Sequence, residues 1–176
     1  MQSLSPPPSS LDHDSFLKAY GGIYEHSDWV AEAVWPQAEA GALDSPGAMF
    51  SAMRATVDAA DDDTKLALIK AHPDLAGKVA SAGALTGASR EEQSGAGLDR
   101  LTPEQATQFH ALNHIYKAKF GFPFIIAVRG LDAAQILERF EARIENDAAT
   151  EFATAMAEIH TIAHLRLEAM CGESGA

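Results

Sequence analysis

A chain of 176 residues, 47% of them hydrophobic, is long enough to bury one real core and too short for two ordinary domains. Its 13 Lys and Arg against 25 Asp and Glu leave a formal charge of −12, a surface that repels phosphate backbones and anionic lipid and speaks against nucleic acid and membrane as partners. The lone Cys171 excludes an internal disulfide framework and a cysteine-cluster metal site, and no apolar run reaches the ~20 residues of a membrane span.

Residues 1–11 are rich in Pro and Ser, lack the basic-then-apolar pattern of a secretion signal, and are expected to form a flexible tail. A single domain is expected over residues 12–171, with a short tail over residues 172–176 and a reduced cytoplasm as the default compartment. Ala is abundant while Val, Ile and Thr are thin outside one segment, which favours an all-α domain of seven or eight helices.

The first helix is expected from about Asp14 to Tyr20, stopping at Gly21-Gly22. A second, capped by Ser27, runs through Trp29, Val30, Ala33 and Val34 and stops at Pro36. Ser45 as N-cap and Pro46 at the first helical position open the third, with Met49, Phe50, Met53 and Val57 at helical spacing. A fourth starts near Asp63 and must end before His72-Pro73, because the residue preceding proline is driven out of the helical region. Residues 74–88 are Gly-, Ala- and Ser-rich and read as a loop. Ser89-Arg90-Glu91-Glu92 then has the form of a capping box, as does Thr102-Pro103-Glu104-Gln105. The helix after Thr102 carries Phe109, Leu112, Tyr116 and Phe120 on one face, and Gly121 stops it. The run from Phe122 to Val128 is strand-like but has no partner strand nearby, so it is expected to be a buried extended or partly helical segment. Asp132 caps the next helix, with Ile136, Leu137, Phe140 and Ile144 inward, and a last helix runs from about Thr150 to Met170.

Three residues fit a plain helical bundle poorly. The last helix has an apolar seam of Phe152, Met156, Ile159, Ala163 and Met170, and Arg166 falls on it. A charge there is costly unless it snorkels from the edge, pairs with a core carboxylate or faces a polar cavity. His72 ends a helix, where it either caps free carbonyls or exchanges protons near neutrality. Glu92 closes a capping box on Ser89, or its carboxylate serves elsewhere. The pairs His110/His114 and His160/His164 are spaced to put two imidazoles on one helical face. Both lie off the apolar seams and lack the Glu of a His-Glu-x-x-His motif, so exposed, unrelated histidines are the simpler reading.

His26-Ser27-Asp28-Trp29-Val30-Ala31-Glu32, Ala71-His72-Pro73-Asp74-Leu75-Ala76-Gly77-Lys78, Ser89-Arg90-Glu91-Glu92-Gln93 followed by Ala96-Gly97-Leu98, Leu112-Asn113 with Tyr116, the stretch from Lys119-Phe120-Gly121 to Val128-Arg129-Gly130, and Ile162-Ala163-His164-Leu165-Arg166-Leu167 together resemble the OHCU decarboxylase family. That family acts on 2-oxo-4-hydroxy-4-carboxy-5-ureidoimidazoline (OHCU), and the resemblance runs in order from about residue 12 to 170. It implies an all-helical fold and decarboxylation of OHCU, a small-molecule substrate, to (S)-allantoin in urate breakdown. It also implies no metal, no organic cofactor and a homodimer. His72 and Glu92 are then the catalytic pair, and Pro73, Ser89, Gln93 and Arg166 bind substrate. Phe122 and the backbone around Phe124, Ile125 and Ile126 form the pocket wall, and His72, Glu92 and Arg166 are expected to converge on one cavity. A non-enzymatic helical interaction module, a zinc-dependent hydrolase and a decarboxylase of a related ureido or imidazoline acid are the competing readings.

Overall fold

The computed structural model describes residues 2–76 and 86–172. Among these lie eight α-helices and one 3-10 turn, and no strand beyond an isolated bridge between Leu4 and Cys171. The part of the expected 74–88 loop from 77 to 85, and the tail from 173, fall outside the described residues. The described residues group into two compact units: those up to Ala71 together with those from His160 onward, and those between His72 and Ile159.

In the first unit, a 3-10 turn (Pro8–Ser10) precedes α1 (His13–Tyr20), α2 (Trp29–Glu39), α3 (Pro46–Asp58) and α4 (Asp62–Lys70). Helix α2 packs on α1, α3 and the turn. The starts follow local chemistry: the side chains of Asp12, Ser45 and Asp61 each accept a bond from the backbone N–H three residues on. Two expectations for α2 are corrected. Ser27 does not cap it, because its hydroxyl donates to Glu25 O and the helix begins after Asp28. Pro36 does not end it either. The helix continues only as far as Glu39, so the missing N–H costs a single bond near the frayed end.

Residues 2–11 are also not a loose tail. Leu4 is buried, its N–H donates to Asp44 O at 2.8 Å, Ser9 N–H donates to Asp44 Oδ1 at 2.9 Å, and Tyr20 Oη donates to Pro6 O at 2.5 Å. Pro has little backbone freedom to lose, so a Pro-rich segment with one apolar anchor is ordered at low entropic cost.

The second unit holds α5 (Gly87–Gly95), α6 (Pro103–Phe120), α7 (Ala133–Ile144) and the first part of α8 (Ala148–Ala169), whose residues from His160 count with the first unit. The boxes Thr102/Gln105 and Asp132/Gln135 form as expected, and Gly121 ends α6 at φ 77°, where glycine carries no Cβ penalty. Phe122–Val128 takes no regular form. Its aromatic side chains join the core, with Phe124 stacked on Phe140 at 3.8 Å and edge-on to Tyr116 at 5.3 Å. No described helix is long and apolar enough to cross a membrane.

Candidate active site

Helix α4 closes at Lys70 with Ala71 as its C-cap, leaving His72 and Pro73 half-buried in the loop that follows. Side chains from two helices bracket this loop. Asn113 of α6, buried, donates through Nδ2 to Leu75 O at 2.8 Å. Gln93 of α5 accepts from Ala76 N–H at 3.3 Å through Oε1. One turn further along α6, Lys117 pairs with Asp74 at 3.1 Å. Ala76 itself sits at φ 51°, a left-handed conformation that a residue with a Cβ rarely adopts.

Helix α5 starts earlier than the sequence suggests. Thr86 is the N-cap and accepts from Ser89 N–H, so Ser89 is the third helical residue rather than the cap. This corrects the capping-box reading of Glu92, which lies in the second turn instead. Ser89, Glu92 and Gln93 are then three and four apart and share one face, with Ser89 buried and the other two half-buried. With Oε1 committed to Ala76, Gln93 offers its Nε2 donors.

The expected pocket wall, Phe122, Phe124, Ile125 and Ile126, is buried throughout. Side chains satisfy its backbone. Arg143 Nη1 donates to Ile125 O at 2.6 Å, its guanidinium lies 4.4 Å from the Phe124 ring centroid, and Ala127 N–H donates to Glu158 Oε2 at 2.7 Å. Arg143 also donates to Glu151, from Nε at 2.8 Å and from Nη2 at 2.5 Å. Glu151 is fully buried and further accepts from Tyr116 Oη and from Asn146 Nδ2, the latter at 2.9 Å. A carboxylate removed from water is tolerable on such terms, paired and with both oxygens bonded. Burial, reinforced by the Glu151 charge, drives the Tyr116 hydroxyl well above its usual range, so it stays a donor.

Asn113 stood out in the sequence only as part of the family-like Leu112-Asn113 stretch, and Lys117, Arg143, Glu151 and Glu158 did not stand out. A signal did exist for two of them. Asn113 follows Phe109 by four and precedes Tyr116 by three, and Arg143 follows Phe140 by three, which puts each on a buried face.

In the other unit Arg166 is buried on α8. Its Nη1 lies 2.9 Å from Oε2 of the fully buried Glu25 and donates to the carbonyls of Gly22 at 3.2 Å and Ile23 at 3.3 Å. Of the alternatives open from sequence, pairing with a core carboxylate is therefore realised. His160 corrects the expectation of exposed histidines. It is buried, with Nδ1 2.8 Å from Tyr24 Oη and Nε2 3.1 Å from Asp58 Oδ1. Burial lowers its pKa, and the Asp58 charge opposes the shift. His110 and His114 are exposed, and among the described residues no group of three His, Cys, Asp or Glu side chains is placed to hold a metal ion.

The second unit contains the imidazole of His72, the carboxylate of Glu92, the hydroxyl of Ser89 and the amide of Gln93, and also the buried run Phe122–Ile126, whose Ile125 carbonyl is held by Arg143. Such a set can donate and accept protons around a planar, polar molecule. Arg166, in the other unit, is a fixed cation whose orientation its buried carboxylate sets.

Residues 9–168 match the family model for OHCU decarboxylase. A protein of Haloferax volcanii named 2-oxo-4-hydroxy-4-carboxy-5-ureidoimidazoline decarboxylase is 42% identical over 157 residues, 89% of either chain. The crystal structure of an (S)-allantoin synthase superposes with a TM-score of 0.74 at 32% identity, covering 95% of this chain and 54% of that one. A crystal structure of OHCU decarboxylase in the presence of (S)-allantoin, 23% identical, shares the fold with a TM-score of 0.66 over 86% of this chain and 96% of that one.

Proposed function

As the chain belongs to the OHCU decarboxylase family, we propose that it removes CO2 from OHCU to give (S)-allantoin in urate degradation. The observation that carries this reading is the family match across residues 9–168, a span that includes His72, Glu92 and Arg166.

The substrate's chemistry explains why such side chains suffice. The departing carboxylate sits on a carbon next to a ring C=N bond. As the C–C bond breaks, its electron pair forms a carbon–carbon double bond and the imine pair moves onto nitrogen, which takes a proton. The resulting enol then tautomerises: its hydroxyl loses a proton and the ureido-bearing carbon gains one, so one proton is consumed overall for each CO2 released. The protein must supply a donor at the nitrogen, hold the ring, and deliver the carbon proton to one face. In the proposal His72 and Glu92 hold and move these protons. Pro73, Ser89 and the Nε2 of Gln93 orient the ring's polar edge, and Phe122 with Phe124, Ile125 and Ile126 excludes water behind it. Arg166, aimed by Glu25, neutralises ring or ureido oxygens. Gripping the departing carboxylate instead would stabilise the ground state and slow its loss.

The proposal extends to a homodimer in the reduced cytoplasm, acting without metal or organic cofactor. Ile115, half exposed on α6, and Leu165 on α8 supply apolar surface for a second copy. Light scattering at micromolar concentration checks the mass, with a monomer contradicting it. Freshly generated OHCU, followed by circular dichroism, is expected to yield (S)-allantoin at a rate unchanged by chelator. Activity lost on chelation and restored by zinc would point to metal-dependent chemistry.

A further inference from the structure

The carbonyl of Leu75 and the N–H of Ala76 belong to one peptide unit, and both ends of that unit are held by side chains. Asn113 Nδ2 binds the carbonyl at 2.8 Å and Gln93 Oε1 binds the N–H at 3.3 Å. The held peptide leads straight into Ala76, whose φ of 51° is unfavourable for alanine, so the loop does not settle there by local preference alone. Asn113 is also an odd choice for a buried helix face. Its Oδ1 is buried and bonded to no other described residue, an arrangement that by itself opposes folding. Leucine would fill the same volume without the orphaned acceptor. What asparagine gives in return is the bond to Leu75.

We infer that Asn113 is a positioning residue for the proposed reaction: it fixes the Leu75–Ala76 peptide, and through it the loop that carries His72 and Pro73. This rests on the reading of His72 as the proton-transfer group. Asn113 touches no reacting atom in this account, and its effect is transmitted through two residues of backbone. Lys117, one turn along α6, holds Asp74 in the same loop from the solvent side and is the minor of the two restraints, because an exposed ion pair is weak.

The test compares Asn113→Leu with His72→Ala in the full chain, using freshly generated OHCU. Asn113→Leu exchanges one orphaned acceptor, its own, for another on Leu75, so its melting temperature should stay near wild type. A misplaced catalytic group costs up to ~10²-fold in rate, so kcat should fall on that order with KM little changed, and the enantiomeric excess of the allantoin should drop. Wild-type kcat and enantiomeric excess in Asn113→Leu, beside an inactive His72→Ala, overturn the inference and leave the reaction intact. Wild-type catalysis in His72→Ala overturns the reading of the reaction and the inference with it. Hydrogen exchange of the Ala76 amide in the unaltered protein needs no variant. Strong protection supports the held peptide, and exchange at the rate of a free loop overturns it.

Discussion

Two histidines in this chain sit in opposite circumstances. His160 is buried in α8 with Tyr24 Oη on one ring nitrogen and Asp58 on the other, so its imidazole is spent on structure. His72 lies beyond the end of α4, half-buried, in a loop held by Gln93 and Asn113 at the Leu75–Ala76 peptide and by Lys117 at the Asp74 carboxylate. Near His160 the Tyr24 and Asp58 contacts end on the imidazole; beside His72 the contacts from Asn113, Gln93 and Lys117 end on Leu75, Ala76 and Asp74, which fixes the course of the loop that carries the side chain.

Substitutions can break that contrast, beginning with the largest effect. His72→Ala should cost ~10²–10⁴ in kcat, the usual range for losing a proton-transfer group. Thermal unfolding should shift little, since a helix-end side chain contributes at most ~1 kcal/mol through capping and dipole terms. A large melting shift with near-normal kinetics would make His72 a second His160. Next, Glu151→Leu leaves Arg143 buried without its carboxylate and should cost ~3–5 kcal/mol in denaturant unfolding. It tests whether the pocket wall depends on that pair. His160→Leu follows, stranding the buried Tyr24 hydroxyl for a loss of ~1–3 kcal/mol with kcat close to wild type.

The smallest effect is a pH slope. Burial depresses the His160 pKa below its ordinary 6.5, against the pull of Asp58 and with Arg54 and Lys65 adding to the depression. The unfolded chain therefore binds the proton more readily. The contribution to stability is present above about pH 6.5 and lost as pH falls through the lower folded value. Unfolding free energy should decline below pH 6.5, and that part of the slope should vanish in His160→Leu.

What could be read from sequence follows the range of the interactions involved. Helix starts at Ser45, Thr102 and Asp132 were legible because a cap and its partner lie three residues apart. The start of α5 was misplaced for a related reason. Thr86-x-x-Ser89 and Ser89-x-x-Glu92 are both cap patterns, and Gly87, a poor helix former, made the earlier one look like loop. The proposed site residues His72, Glu92 and Arg166 stood out as misfits, but the contacts that hold their surroundings did not. Glu25 is 141 residues from Arg166, Asn113 is 38 from Leu75, and Arg143 meets Glu151 on a different helix. No local pattern encodes such pairs; they follow only once the helices have packed.

The central claim, that His72 makes this decarboxylation stereospecific, is tested most directly by the enantiomeric excess of the allantoin formed from fresh OHCU by His72→Ala, read by circular dichroism against wild type. Because OHCU also decays spontaneously to racemic allantoin, handedness is a cleaner readout than total product. The account predicts strong (S)-allantoin excess from the wild type and a nearly racemic product from a folded His72→Ala protein. A variant that still delivers predominantly (S)-allantoin at near wild-type rate would contradict it and leave Glu92 as the group that moves the proton.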